Sequence, residues 1–273
     1  MTFSIVARSD DGESWGVAVA SKFLAVGAVV PAAVAQVGAI ATQADANVAY
    51  KGIALAHLDE GATAPVALQR LLEEDERREE RQVGIVDVDG NAASHTGQAC
   101  IDWAGGVIGA GYAIQGNCLA GPEVVEAMEQ AWHASDDGAP LADRLLMALA
   151  AGDAAGGDKR GRQSAALLVV SEGAGYGGGD DIVADLRVDD HPAPIDELAR
   201  LLELNELYLT ASTEEERVPV TPELEAELEA FARAAGHPGF LAWVGTENYE
   251  MRVAPDLAWV DRRVLAIVRD ETR

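Results

Sequence analysis

Thr2 is the residue of this chain best placed to do chemistry. A threonine hydroxyl is a weak nucleophile alone. If Met1 is removed, however, one residue carries both a hydroxyl and a free α-amine, a nucleophile with its own base attached. The ordinary amine pKa of about 7.7–8.0 makes that base usable near neutrality. Ser21 and Lys22 close the second apolar run of the chain. Lys22 is a candidate to lower the amine pKa and stabilise an oxyanion, or else a lysine snorkelling at a strand end. Ser21 is a candidate to orient the amine or relay its proton. The plain alternative is an N-terminal hairpin in which Thr2 merely pairs in a sheet.

Other polar residues stand in small or apolar surroundings. Gln115 and Asn117 offer neutral N–H donors suited to an oxyanion hole, or simply cap a turn. His95 is either a general acid/base or substrate contact, or a buried histidine held by hydrogen bonds. Gln43 and Asn47, amides among small residues, are candidate substrate contacts. Lys159, Arg160 and Arg162 form a basic island. They could hold a carboxylate, Arg162 above all through its bidentate fork, or pair with neighbouring acids.

The same inspection finds no pattern for a metal or cofactor. The histidines are dispersed, and Cys100 and Cys118 have neither zinc-like spacing nor the number for a disulfide framework. Gly175–Asp181 lacks the Lys-Ser/Thr of a phosphate loop, and Gly109-Ala110-Gly111 lacks the third glycine of a dinucleotide fingerprint.

The elements that must position these groups read as follows. Thr2–Arg8 and Trp15–Phe23 flank Asp-Gly turn chemistry, which predicts a hairpin that carries Thr2 into the core. Residues 26–30 and 33–42 read as short apolar strands or buried connections around Pro31. Helices are expected over 51–60 and from the Thr63 cap into the charge run 73–81, read as a solvated helix end. A second hairpin spans 82–97, a third β-rich region 110–119, and two helices follow Pro122 and cover 141–151. Strands at 164–170 and 182–188 precede a helix from Ile195 to Tyr208. A linker near Thr213 leads to a small unit whose first helix starts at Thr221-Pro222. Strands, helix pairs and strands in this order fit antiparallel sheets covered by helices.

A length of 273 residues gives ample chain for a core, and 49% hydrophobic residues with a mean hydropathy near zero describe a globular protein. The formal charge of −26, from 46 acidic and 20 basic residues, argues against nucleic acid and anionic membranes as partners. It suits a salt-filled cytoplasm, where screening relieves self-repulsion, and points to a halophilic source. The uncharged stretch 23–44 is long enough to span a bilayer, but Pro31, Gly27, Gly38 and its amides fit buried strands better. The expected setting is cytoplasmic.

Several blocks in order resemble the uncharacterised family DUF1028. They are Met1–Arg8, Trp15–Phe23, Ala41-Thr42-Gln43-Ala44, Ser94-His95-Thr96-Gly97, Gln115-Gly116-Asn117 and Gly157–Ser164. The resemblance covers about residues 2–205. It implies an α+β fold of the N-terminal-nucleophile (Ntn) hydrolase kind, a four-layer αββα sandwich over residues 1–210. It also implies hydrolysis of a small linear amide or ureide by Thr2 through an acyl-enzyme. Catalytic roles fall to Thr2, Ser21, Lys22, His95 and Asn117, and substrate contacts to Gln43, Asn47, Gln115, Arg160 and Arg162. No metal or cofactor is expected; the partner is a small molecule, and the assembly a homo-oligomer. Residues 213–273 resemble the C-terminal extension of some members, described as peptidoglycan-binding-like. Two other readings stay open: an enzyme on this fold without a covalent intermediate, and a non-enzymatic binding protein.

Overall fold

The computed structural model describes residues 2–271. From the start of the chain come β1 (Thr2–Arg8), β2 (Ser14–Ser21), α1 (Val26–Val29), β3 (Pro31–Val34) and β4 (Gly38–Ala44). Next are α2 (Ala49–Asp59), α3 (Ala64–Glu74), β5 (Arg81–Asp87), β6 (Ala92–Thr96), β7 (Gly105–Gly109) and β8 (Tyr112–Asn117). Then follow α4 (Glu123–Ala134), α5 (Leu141–Ala154), β9 (Ser164–Ser171), β10 (Ile182–Val188) and α6 (Pro194–Tyr208). The chain ends with β11 (Arg217–Pro219), α7 (Pro222–Ala234), α8 (Phe240–Thr246), β12 (Trp259–Asp261) and α9 (Arg262–Glu271). Two compact units result, the first ending at Leu202 and the second beginning at Glu203.

The first unit holds two antiparallel sheets. Six strands run in the order β10-β9-β2-β1-β8-β7, and four in the order β3-β4-β5-β6. The expected first hairpin forms, pairing Phe3 with Ala20 and Arg8 with Trp15. β1 is thus an inner strand, and the period of two along it divides its side chains between two environments. Phe3, Ile5 and Ala7 join a core with Met128 of α4 and Leu145 and Leu149 of α5. Val6, with Val17 and Val19 of β2, packs instead with Ala39 and Ala41 of β4 and Val86 of β5. On the far face of the four-stranded sheet, Ile40, Val83 and Ile85 pack with Leu58 of α2 and Leu68 and Leu71 of α3.

Two local expectations are corrected. Residues 26–29 form a helical turn rather than a strand. Ala25 enters it with φ +53°, the Ser164 hydroxyl accepts from the Val26 N–H, and Gly27 lies so close to β9 that a Cβ there would come 2.6 Å from the Ala166 Cβ. Close packing on β9 overrides the β-branched composition. The charge run is likewise not wholly solvated: α3 stops at Glu74, and Asp75 and Arg81 are buried against each other. No helix of the described residues is long and apolar enough to cross a membrane, and stretch 23–44 is built from α1, β3 and β4.

The second unit is built on buried charge. Arg252, 2% exposed, donates to Glu216 at 3.0 Å, to Asp261 at 2.9 Å, and to the carbonyls of Leu207 and Glu206. Phe231, Phe240, Trp243 and Tyr249 pack around one another in the same unit. Thr221 caps α7 as expected, accepting from the Leu224 N–H at 3.3 Å. Replacing Arg252 by Met leaves the buried Asp261 carboxylate without a cationic partner among the described residues, while Glu216 keeps Arg263 at 3.1 Å. Unfolding in urea should show this unit destabilised by about 3–5 kcal/mol.

Candidate active site

Between the sheets the apolar cluster gives way at one end to hydroxyls and amides. Period two explains which ones. Thr2 and Ser4 share a face of β1 with Val6; Ser21 shares a face of β2 with Val19. Gln43 follows Ala41 on β4, and Gln82 precedes Val86 on β5 with Gly84 between. On β8, Gln115 pairs with Ser4 and Asn117 with Thr2.

These groups form one uncharged hydrogen-bonded network. The Thr2 Oγ1 lies 3.1 Å from the Ser21 Oγ, both buried. Ser4 donates to Gln43 Oε1 at 2.7 Å and accepts from Gln115 Nε2 at 2.7 Å. Gln43 Nε2 donates to Gln82 Oε1 at 2.8 Å and, at longer range, to the carbonyls of Gln115 (3.3 Å) and Thr2 (3.4 Å). Asn117 Nδ2 donates to the same Gln82 Oε1 at 2.9 Å. Gln115 Oε1 has no partner among the described residues and sits over Gly84, where a Cβ would come 2.1 Å from it.

The structure brings some of the candidate residues together and leaves others apart. Thr2, Ser21, Gln43, Gln115 and Asn117 come together. Lys22 does not join them. Its side chain is exposed and donates to the Arg162 carbonyl at 3.3 Å, because the strand ends at Ser21 and the Lys22 N–H is tied to buried Asp158 at 2.8 Å. His95 pairs with Val83 and so points to the α3 side, its Nε2 on the Arg78 carbonyl at 2.9 Å. There it lines a separate hollow of about 740 Å³ with Leu68 and Leu72. Asn47 serves the start of α2, accepting from the Ala49 N–H at 3.2 Å. Arg160 is held by Asp158 at 2.8 Å and Arg162 by Asp153 at 2.8 Å, so the basic island is tied into ion pairs.

Ser4 and Gln82 were missed. Their signal was a polar residue recurring at the inward positions of otherwise apolar strands, here Thr2-Ser4-Val6 and Gln82-Gly84-Val86.

Asn117 also lines a cavity of about 580 Å³ with Ala44, Asp45, Glu80, Ala99, Cys100 and Ile101. Burial pushes the Cys100 thiol up, which favours its neutral form. The residues that follow Gln43 and Asn117, Ala44 (φ +69°) and Cys118 (φ +49°), are both left-handed, a conformation non-glycine residues adopt at a cost. The strand bearing Gln82 is anchored by its neighbour. Arg81 donates to Asp75 at 2.8 Å and to the Asp45 carbonyl at 2.6 Å, and Tyr50 donates to Asp75 at 2.7 Å. The Arg81 hydrogen bond holds the Asp75 carboxyl well below the usual range.

The family model for DUF1028, a family of unknown function, matches residues 2–198, and the chain belongs to that family. Protein SPO2555 from Silicibacter pomeroyi, a crystal structure described by the same family model, is 33% identical, with a TM-score of 0.68 over 75% of this chain and 89% of that one. Anbu (ancestral beta-subunit) from Yersinia bercovieri aligns at 11% identity over 74% of this chain and 93% of that one, with a TM-score of 0.33. No curated protein matches.

Two outcomes follow. Gly84→Ala drives a methyl into the Gln115 amide and should lower thermal stability by about 1–3 kcal/mol, since the two strands leave little room to shift. Asp75→Asn should cost about 1–2 kcal/mol at pH 7. Because the Asp75 pKa is depressed by folding, that difference should be full above about pH 4 and shrink as pH falls below it. Urea midpoints of both chains from pH 7 to pH 3 measure it.

Proposed function

We propose that the first unit is a four-layer αββα sandwich of the Ntn-hydrolase kind, and that it hydrolyses a small amide or ureide with Thr2 as nucleophile. The observation that carries this reading is the buried Thr2 hydroxyl, 3.1 Å from Ser21 and paired in register with Asn117 at the polar end of the inter-sheet space. Met1, on whose removal the reaction depends, lies outside the described residues.

In the reaction, Thr2 Oγ1 forms a bond to the substrate carbonyl carbon as its proton passes to the α-amine. Asn117 uses one N–H on Gln82 and offers the other to the developing oxyanion. The C–N bond breaks, and the ammonium returns its proton to the departing nitrogen. Water, deprotonated by the same amine, cleaves the Thr2 ester and frees the acid. Ser21 holds the hydroxyl; Lys22, bonded to the Arg162 carbonyl, has no part in this scheme. Since Arg160 and Arg162 are already paired, the substrate needs no carboxylate. A net charge of −26 supports a small-molecule partner rather than nucleic acid, and a saline cytoplasmic setting. We extend the proposal to a homo-oligomeric assembly.

One observation favours a second reading. The network is wholly neutral, so a chain that keeps Met1 has amides and hydroxyls suited to binding a polar molecule without turning it over.

Intact mass and a screen of small amides and ureides separate the two. The hydrolase reading expects loss of Met1, turnover that falls to background in Thr2→Ala, and a rate that rises with pH through the amine pKa, at or below about 8. Full retention of Met1 in active protein, or an active Thr2→Ala chain, overturns it.

A further inference from the structure

We infer that Gln82 is a positioning residue whose side-chain amide fixes which way Asn117 faces in the Thr2 site. The inference rests on the hydrolase reading above.

An asparagine amide can sit in two orientations that differ by exchange of its oxygen and nitrogen, and only its partners decide between them. For Asn117 the side-chain partner among the described residues is Gln82 Oε1, at 2.9 Å. The decision therefore passes to Gln82, which is wholly buried. Its own orientation is settled by main chain. Gln82 Nε2 faces the carbonyls of Gly116 at 2.7 Å and Gly105 at 3.3 Å, and the Thr96 hydroxyl at 2.9 Å. Carbonyls only accept, so an oxygen cannot occupy that position without repulsion. Gln82 Oε1 must then face Asn117, and Asn117 must present its NH₂ to it. The second N–H of the same nitrogen is what the proposed reaction uses. Exchange of the Asn117 amide would set its carbonyl oxygen against Gln82 Oε1 and remove both donors.

Gln43 supplies an internal contrast. It also donates to Gln82 Oε1, yet the carbonyls of Thr2 and Gln115 fix its nitrogen independently, and the Ser4 hydroxyl fixes its oxygen. Loss of Gln82 should disturb Asn117 and leave Gln43 in place.

The first measurement is proton exchange of the side-chain amides by NMR on the full chain. In the wild type one Asn117 Nδ2 proton should exchange slowly. In Gln82→Met it should exchange at least tenfold faster, while the Gln43 amide, which loses its 2.8 Å bond to Gln82 but keeps the Gln115 and Thr2 carbonyls, should change by a smaller factor. Gln82→Asn, which keeps an amide but is too short to span Gly116 and Asn117 together, should behave alike and serves if the Met variant does not fold. Unchanged Asn117 exchange in a folded variant overturns the inference.

The second measurement is the rate at which β-propiolactone forms a hydroxylamine-labile ester on Thr2, mapped by peptide mass spectrometry. Thr2 Oγ1 bonds to the lactone carbonyl, the ring C–O bond breaks, and the proton reaches the new alkoxide by way of the α-amine. Asn117→Ala should slow this about 100-fold, and Gln82→Met should slow it at least tenfold. The double variant should be no slower than Asn117→Ala alone, which a general loss of stability would not produce. Multiplicative effects, or a Gln82→Met rate within twofold of wild type, overturn the inference and leave the hydrolase reading standing. A wild-type Thr2 that forms no ester overturns the hydrolase reading, and the positioning role with it.

Discussion

Burying polar groups between two sheets is tolerable only if each finds a partner, and that constraint governs the end of the first unit where Thr2 sits. The solution is an uncharged one. Ion pairs would bring a desolvation cost that has to be recovered in full; amides and hydroxyls need only correct orientation. Orientation is supplied by backbone carbonyls of β1 and β8, which cannot reverse polarity, so the strands dictate the direction of every side-chain hydrogen bond that touches them. Among the described residues, the one buried side-chain acceptor without a partner, Gln115 Oε1, is pressed on Gly84. There the network gives way to close packing.

The charge distribution has the same logic on a larger scale. Acidic residues outnumber basic ones 46 to 20, yet Arg81, Arg144 and Arg252 are each less than 9% exposed. They serve as interior fasteners: Arg81 on Asp75, Arg144 on Asp10 and over the Trp132 ring, Arg252 on Glu216 and Asp261. The guanidinium fork suits this use, since several acceptors can be met from one buried plane.

Much of this was legible in the sequence, for reasons that can be named. The β1–β2 hairpin follows from two β-rich runs around Asp-Gly, and α7 from a Thr-Pro start. Thr2, Ser21, Gln43, Gln115 and Asn117 drew notice as polar residues in small or apolar company, and the sheets do bring them together. Lys22 and His95 stand away from this group because their positions hinge on one residue of strand register. Lys22 falls just past the end of β2, and His95 lies on the helix-facing side of β6 because it pairs with Val83. A one-residue step reverses a side chain's face, and chemistry-based inspection does not see that. For Arg160 and Arg162 the sequence leaves a carboxylate-binding role and pairing with neighbouring acids both open, because their partners, Asp158 and Asp153, look in sequence like ordinary loop and helix acids.

The displacement of Lys22 changes what the proposed reaction requires. A cation beside the amine is one way to lower its pKa; removal from water is another, since burial disfavours the charged form of an amine. Thr2 is 5% exposed, and its neighbours are neutral donors and acceptors. In the proposed reaction, such an environment would act on the amine through desolvation and leave the oxyanion to a neutral N–H. A fixed positive charge would favour the oxyanion but would also hold any anionic product in the cleft. A neutral site avoids that retention, and the demand for precision then falls on the amides. Their orientation, set from the backbone of β8 through Gln82, matters more here than the presence of any one charged group.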